Sequence, residues 1–298
     1  VEADESDGTF TKLPATIAIV TNIDPEHMEY YGTFEKLLDA FHHFVTNTPF
    51  YGAIICCTDD PDVHRLVGRI SDRKVIKYGF NNQADYRISD LQFKNGTAHF
   101  ELVLGRKNST VLDFMLPMTG EHNALNALGA LVVANHLGIS LEVIKESLRN
   151  FKGVKRRFTH VDIISGVTII DDYAHHPTEI KSVLNSIKMA YKNRKIISVF
   201  QPHRYSRLKS LKKDFSSSFN ASDLVILCPV YPAGEKIDNK YDSVDFAKQI
   251  SKNSKVQVLI IKNKDDLRKF FLKNLINKEI VIGMGAGSIS KWIREIAL

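Results

Sequence analysis

The spacing of apolar positions changes regime along the chain. Thr16–Ile23 is a short apolar run that predicts a buried strand, and a polar loop, Asp24–Gly32, follows it. Thr33 has the chemistry of an N-cap for a helix reaching about Asn47, with Phe34, Leu37, Leu38, Phe41, Phe44 and Val45 on one face. Ala53–Thr58 predicts a second strand, and Pro61 opens a second helix. From Lys74 to Leu116 the period drops to two. That predicts short strands joined as hairpins at Asn81-Asn82, Asn95-Gly96 and Arg106–Asn108. Helices are predicted over His122–Leu137 and Leu141–Phe151.

Lys152–Arg157 is polar, contains a glycine and separates two regimes, which marks it as an interdomain linker. Beyond it strands and helices alternate. Strand Val161–Ile170, broken by a Ser165-Gly166 turn, precedes helix Thr178–Tyr191, strand Ile196–Phe200 and helix Ser206–Phe219. Strand Leu224–Val230, helix Val244–Ser251, strand Val256–Ile261, helix Lys264–Leu275, strand Glu279–Met284 and helix Ser288–Ile296 complete the series. The reading is an α/β chain of two domains, 1–156 and 157–298, the second a doubly wound, mostly parallel sheet.

Composition narrows the classes. Apolar residues make up 44% and charged residues 25%, ordinary for a soluble protein. No apolar run approaches the ~18 residues of a membrane span, and no signal peptide is recognisable. The net charge of +6 suits anionic ligands. Lys and Arg are scattered without a basic block, so neither nucleic acid nor membrane is the expected partner, and no obligate protein partner is evident. Cys56, Cys57 and Cys228 lie in apolar runs without a CxxC, as expected of reduced, buried thiols in a cytoplasmic protein. Glu2–Asp7 reads as a strand end and a turn, so the chain is expected to begin inside a domain.

Two polar clusters follow predicted strands directly: Asp171–Pro177 and Gln201–Arg207. In open α/β sheets ligands bind outside the carboxyl ends of strands. His203, Arg204 and Arg207 place three cation-capable groups together, an arrangement that calls for an anion between them. Asp172 ends a strand and suits a ribose diol; His175 and His176 cap the next helix. His27, in a loop with Asp24, Glu26 and Glu29, has the donor chemistry of a divalent-metal ligand, with a solvated acidic loop as the alternative. Glu2 offers an oxygen ligand for Mg²⁺. Asn123 and Asn126 share a helix face and carry the donors and acceptors that an adenine edge needs, or are a cap and a surface amide. Arg156 and Arg157 suit a phosphate, or a merely soluble linker. Gly283-Met-Gly-Ala-Gly287-Ser288 lacks the βαβ context of a dinucleotide fingerprint and reads as a glycine-rich turn approaching a ligand.

Six segments in series resemble the bacterial Mur ligases: ADESD at 3–7, NIDPEHMEYYG at 22–32, GEHNALNALGA at 120–130, Arg156–Phe158, DDYAHHPTEI at 171–180 and FQPHRYSR at 200–207. The resemblance implies part of a central ATPase domain followed by a Rossmann-like domain that carries the amino acid. It implies ATP- and Mg²⁺-dependent joining of L-alanine to UDP-N-acetylmuramate through an acyl phosphate. Glu2 and His27 match Mg²⁺ ligands, Asn123 and Asn126 adenine contacts, Arg157 an ATP phosphate contact and Asp172 a ribose contact. Tyr173, His175, His203, Arg204 and Arg207 match the region handling L-alanine and the reacting phosphate, with His175, His203 and Arg204 expected to be catalytic. The family's UDP-binding domain and its GxxxxGK[ST] phosphate loop have no counterpart in these 298 residues, so this polypeptide alone is expected to be inactive. A ligase that recycles murein tripeptide, a non-catalytic nucleotide-binding remnant and a nucleic-acid module are the alternatives.

Overall fold

In the computed structural model residues 1–94, 96–105, 110–164, 166–275 and 278–297 are described. They divide into two compact units: Val1–Pro117 with Glu121–Phe151, and Met118–Gly120 with Lys152–Leu298.

The first unit contains β1 (Ile17–Val20), α1 (Met28–Tyr31), α2 (Phe34–Thr46), β2 (Ala53–Cys57), α3 (Pro61–Gly68), β3 (Val75–Gly79), β4 (Tyr86–Lys94), β5 (Thr97–Leu104), β6 (Thr110–Leu116), α4 (Glu121–His136) and α5 (Leu141–Arg149). Its sheet runs β1-β2-β3-β4-β5-β6. Thr33 caps α2 by accepting from Lys36 N, and Asp60 caps α3, with Pro61 in the first turn. Leu37, Leu38 and Val45 of α2 and Val63 and Leu66 of α3 pack with Val20, Ile54 and Cys56 of the sheet. α4 is the other cover; Ala124, Leu128, Leu131 and Val132 are buried.

The expected hairpin at Asn81-Asn82 is not formed: β3 and β4 pair in parallel, Tyr78 opposite Tyr86. The carboxylate of Asp59 causes this by accepting from Phe80 N (2.6 Å), Asn81 N (3.0 Å) and Asn81 Nδ2 (2.9 Å). The loop is gathered under β2 instead of reversing. Gly79 is required there, since a Cβ would lie 2.6 Å from either carboxylate oxygen of Asp59. β4, β5 and β6 do pair antiparallel. The turns expected at Asn95-Gly96 and Arg106–Asn108, and at Ser165-Gly166 in the second unit, include residues outside the described ones.

The second unit contains β7 (Thr159–Ile164), β8 (Val167–Asp172), α6 (Pro177–Ala190), β9 (Ile196–Phe200), α7 (Tyr205–Ser210), α8 (Lys212–Ser216), β10 (Leu224–Leu227), α9 (Ser243–Ser254), β11 (Gln257–Ile260), α10 (Lys264–Asn274), β12 (Ile280–Met284) and α11 (Ile289–Ala297). Strand order is β11-β10-β9-β12-β8-β7, parallel except for β7 against β8. Alternate side chains of the strands serve opposite faces. Ile170, Ile196, Phe200, Val225 and Leu227 pack with α6, α8 and α9 through Leu184, Phe215 and Phe246. Ile169, Val199, Ile226 and Val281 pack with α10 and α11 through Leu267, Phe271, Ile289 and Ile293. This is the doubly wound sheet that the alternating pattern predicts.

The single helix expected over Ser206–Phe219 is two short ones. The Ser210 hydroxyl donates to Arg207 O (3.1 Å), and Ser217 and Ser218 hydroxyls donate to Asp214 O (3.0 and 2.7 Å). Serines that bond the backbone compete with the helical ladder, so α7 ends at Ser210 and α8 at Ser216.

Candidate active site

In the second unit the carboxyl ends of β8, β9, β10 and β12 carry the polar residues. β8 ends in two adjacent buried carboxylates that face opposite ways. Asp171 Oδ2 accepts from Ser290 Oγ (2.6 Å) and Arg294 Nη2 (2.8 Å) of α11. Asp172 accepts from Phe158 N (2.7 Å) and Ala174 N (2.8 Å), one on each oxygen, and is 2% exposed. Burial pushes the Asp172 carboxyl up to about 6, against those two donors and Arg157. The sequence-based role of Asp172 was a ribose contact; here it holds the polypeptide on either side of Tyr173.

The basic stretch before β7 is tied to the same place. Arg156 and Phe158 both have left-handed backbones (φ 60° and 51°). Tyr173 N donates to Arg156 O (2.7 Å), and the Arg156 guanidinium lies over the Tyr173 ring, 4.6 Å from its centroid, while donating to Gly285 O (2.6 Å). Arg157 donates to Glu179 Oε1 (3.2 Å). Glu179 is the capping-box residue of α6, with its carboxylate on the amides of His175 (2.9 Å) and His176 (3.2 Å). Burial opposes its ionisation, yet His175, Arg157 and those amides hold it below the ordinary glutamate range. His176 caps α6, whereas His175 turns outward and Nδ1 lies 2.9 Å from Tyr173 O.

Four rings follow one another across the strand ends. Tyr173 and His175 are 5.1 Å apart, His175 and His203 5.7 Å, and His203 and Tyr231 5.6 Å with planes 14° apart. His203 is pushed down to about 4 by burial and by His175, Arg207 and Arg204, so it is neutral near pH 7. Its Nδ1 is buried without a hydrogen-bond partner among the described residues. Arg204 and Arg207 make no ion pair among the described residues. The site therefore holds a neutral imidazole beside two cationic forks, an arrangement that receives an anion.

The glycine-rich turn after β12, expected to approach a ligand, packs closely against the protein itself. A Cβ on Gly287 would lie 2.4 Å from Tyr231 Cγ and 2.6 Å from Gln201 Oε1, and one on Gly283 2.5 Å from Ile293. These glycines make room for protein side chains. Gln201 uses that space to accept from Ile289 N (3.0 Å) at the start of α11.

In the first unit His27 sits at φ 56° before α1, with Nε2 3.5 Å from Glu26 and 3.7 Å from Glu5, and Nδ1 3.8 Å from Glu29. One ligand atom each from Glu5, Glu26 and His27 lies within 4.8 Å of the others, a donor set of carboxylates and imidazole that fits a divalent cation. Glu2, the other expected ligand, is exposed and stands outside this group, while Glu5 stands in it. On α4 Asn123 is buried and Asn126 exposed. Sequence reading missed Glu179, Tyr231 and Glu235; the glutamate three residues after His176 was the signal for Glu179, and the Tyr231–Glu235 turn after β10 for the other two.

This fold has known counterparts. The sequence profile of the Mur ligase middle domain matches residues 2–134, and that of the Mur ligase, glutamate ligase domain matches residues 156–287. The chain belongs to the Mur ligase family. It is 48% identical over 296 residues to the UDP-N-acetylmuramate–L-alanine ligase of Dinoroseobacter shibae, covering 99% of this chain and 64% of that protein. It is 50% identical over 292 residues to the enzyme of that name in Roseobacter denitrificans, covering 98% and 62%. The crystal structure of UDP-N-acetylmuramate-alanine ligase from Thermotoga maritima matches with a TM-score of 0.78 at 25% identity, covering 99% of this chain and 62% of that one. The chain thus spans less than two thirds of the length of these relatives.

Proposed function

We propose that these two domains belong to an ATP-dependent ligase that joins L-alanine to UDP-N-acetylmuramate, the first amino-acid addition of peptidoglycan precursor synthesis. The observation that carries this reading is the neutral His203 beside the guanidinium groups of Arg204 and Arg207, which make no ion pair among the described residues. Identity near one half to two ligases of that name supports it over the murein-tripeptide and binding-remnant alternatives. Three buried free cysteines support a cytoplasmic setting, and among the described residues no helix is long and apolar enough to cross a membrane.

Arg204 and Arg207 receive the carboxylate of L-alanine, and Tyr173 and His175 line the approach. The γ-phosphoryl group of ATP passes to the muramyl carboxylate, giving ADP and an acyl phosphate. The alanine amine, deprotonated with His175 as acceptor beside the neutral His203, attacks the acyl carbon, and inorganic phosphate leaves as the amide forms. Arg157 neutralises phosphate charge, and Asn123 and Asn126 hold the adenine. Asp172, each of whose oxygens accepts one amide and keeps a further acceptor site, contacts the ribose. Mg²⁺ supplies charge neutralisation when bound; His27 with Glu2, Glu5 or Glu26 would hold it. The remainder of the work is positioning.

The gene product, made from its own start codon, is expected to release phosphate from ATP only when UDP-N-acetylmuramate and L-alanine are both present. The 298-residue polypeptide alone, which has no GxxxxGK[ST] loop, is expected to show no such turnover. Phosphate release by the gene product without dependence on L-alanine, or ligation by the isolated polypeptide, would refute the respective statement.

A further inference from the structure

We infer that Glu235, on the turn after β10, is a positioning residue that fixes His203 and Arg204 by capping α7 from a distance. The inference rests on the ligase reading for its kinetic arm only. Arg204 occupies the N-cap position of α7 and cannot perform that office: its side chain has no acceptor, and its backbone lies at φ 67°. A non-glycine residue persists in that region only where its surroundings hold it.

The holding comes from the Tyr231–Glu235 segment. Arg204 N donates to Tyr231 O (2.9 Å), and Tyr231 N donates to Pro202 O (2.8 Å), a short parallel bridge beside the stacked rings of His203 and Tyr231. Ala233 and Gly234, at φ 50° and 89°, then turn the chain so that Glu235 meets the start of α7. Glu235 Oε2 accepts from Tyr205 N (2.6 Å) and Ser206 N (3.2 Å), while Oε1 accepts from the Ser206 hydroxyl. These are the first orphan amides of the helix. Against burial, the Ser206 and Tyr205 donors and then Arg204 hold the Glu235 carboxyl below its ordinary range, yet among the described residues Glu235 and Arg204 make no ion pair.

The test compares Glu235→Ala with Glu235→Gln in the gene product, reading amide exchange at Tyr205 and Ser206 together with KM values for L-alanine and ATP. Glutamine keeps an acceptor for the amides; alanine does not. Glu235→Ala is expected to speed exchange at both amides and to raise KM for L-alanine about tenfold while changing KM for ATP less than about twofold. Glu235→Gln is expected to stay within about threefold of the parent in both readouts. Unchanged exchange in Glu235→Ala overturns the capping role whatever the enzyme ligates. Faster exchange with an unaltered KM for L-alanine, in a parent that does ligate it, overturns the positioning role. Equal losses for both variants overturn capping by hydrogen bonds. A parent with no L-alanine-dependent turnover defeats the ligase reading and leaves the exchange arm to decide the cap.

Discussion

The imidazole of His203 lies nearly flat against the ring of Tyr231, with centroids 5.6 Å apart and planes 14° apart, while His175 meets it edge-on at 5.7 Å. One face of the imidazole is thereby shielded by a phenol from another strand end, and an edge is set against a second titratable ring. A charge on His203 would have to share this space with His175, Arg204 and Arg207.

The pH behaviour of His203 follows. Burial first, then those three neighbours, lower it from 6.5 to about 4 in the fold. Between those values the unfolded chain binds a proton that the folded chain does not, so this group's contribution to stability is present above about pH 6.5 and is lost as pH falls towards about 4. An NMR titration is expected to place the His203 midpoint near 4, and a midpoint above 6 contradicts it.

Asp172 has the opposite sign. Its carboxyl is raised from 3.8 to about 6, so its contribution is complete below about 3.8 and is lost as pH rises through about 6. Asp172→Ala strands the amides of Phe158 and Ala174. The substitution is expected to cost about 2–4 kcal/mol, with the larger loss in acid. Urea unfolding at two pH values checks both the size and the trend.

Arg294→Met tests the ion pair on the other face of β8, in which the carboxylate is buried and the guanidinium partly exposed. Asp171 is fully buried and would keep Ser290 Oγ at 2.6 Å, with Arg156 Nε no nearer than 3.9 Å. A loss of about 1–2 kcal/mol is expected, because the Arg294 side chain is 43% exposed and Arg156 stays within 3.9 Å of the buried carboxylate. Adding Asp171→Asn to Arg294→Met should recover part of that loss; additive losses would show that the two residues are not coupled.

Gly287→Ala probes packing beneath the ring ladder. The new methyl group would overlap Tyr231 and Gln201, so a cost of about 1–3 kcal/mol is expected. The His203 titration should also move as Tyr231 shifts. A stable variant with an unmoved titration would mean that the turn relaxes away from Tyr231.

Arg204→Ala, in the gene product, is expected to raise KM for L-alanine by about tenfold or more and KM for ATP far less. Steady-state kinetics with each substrate varied in turn decides it; equal effects on both remove Arg204 from the amino-acid site.

The alternation of apolar runs was sufficient for the second sheet, because its inner parallel strands β8, β9 and β12 are buried on both faces. The cap at Thr33 and the opening of α3 at Pro61 were legible from local sequence alone. What was illegible depends on partners distant in sequence. Asn81-Asn82 has hairpin chemistry, but Asp59 takes its amides. Gly287 looks like a ligand turn until Tyr231 is seen in the space it leaves. Ser210 looks neutral in a helix until its hydroxyl finds Arg207 O. Glu2 and Glu5 are indistinguishable by residue type, and only the fold puts Glu5 beside His27.

The distant cap on α7 has a bearing on how such a site can be inherited or rebuilt. Residues 200–207 look like a self-contained cassette, yet grafted alone they would bring a helix without its cap and an arginine without the partner that holds its backbone. The transferable unit is discontinuous: residues 200–207 together with 231–235. Substitutions in either half are therefore expected to be tolerated or refused according to what the other half contains.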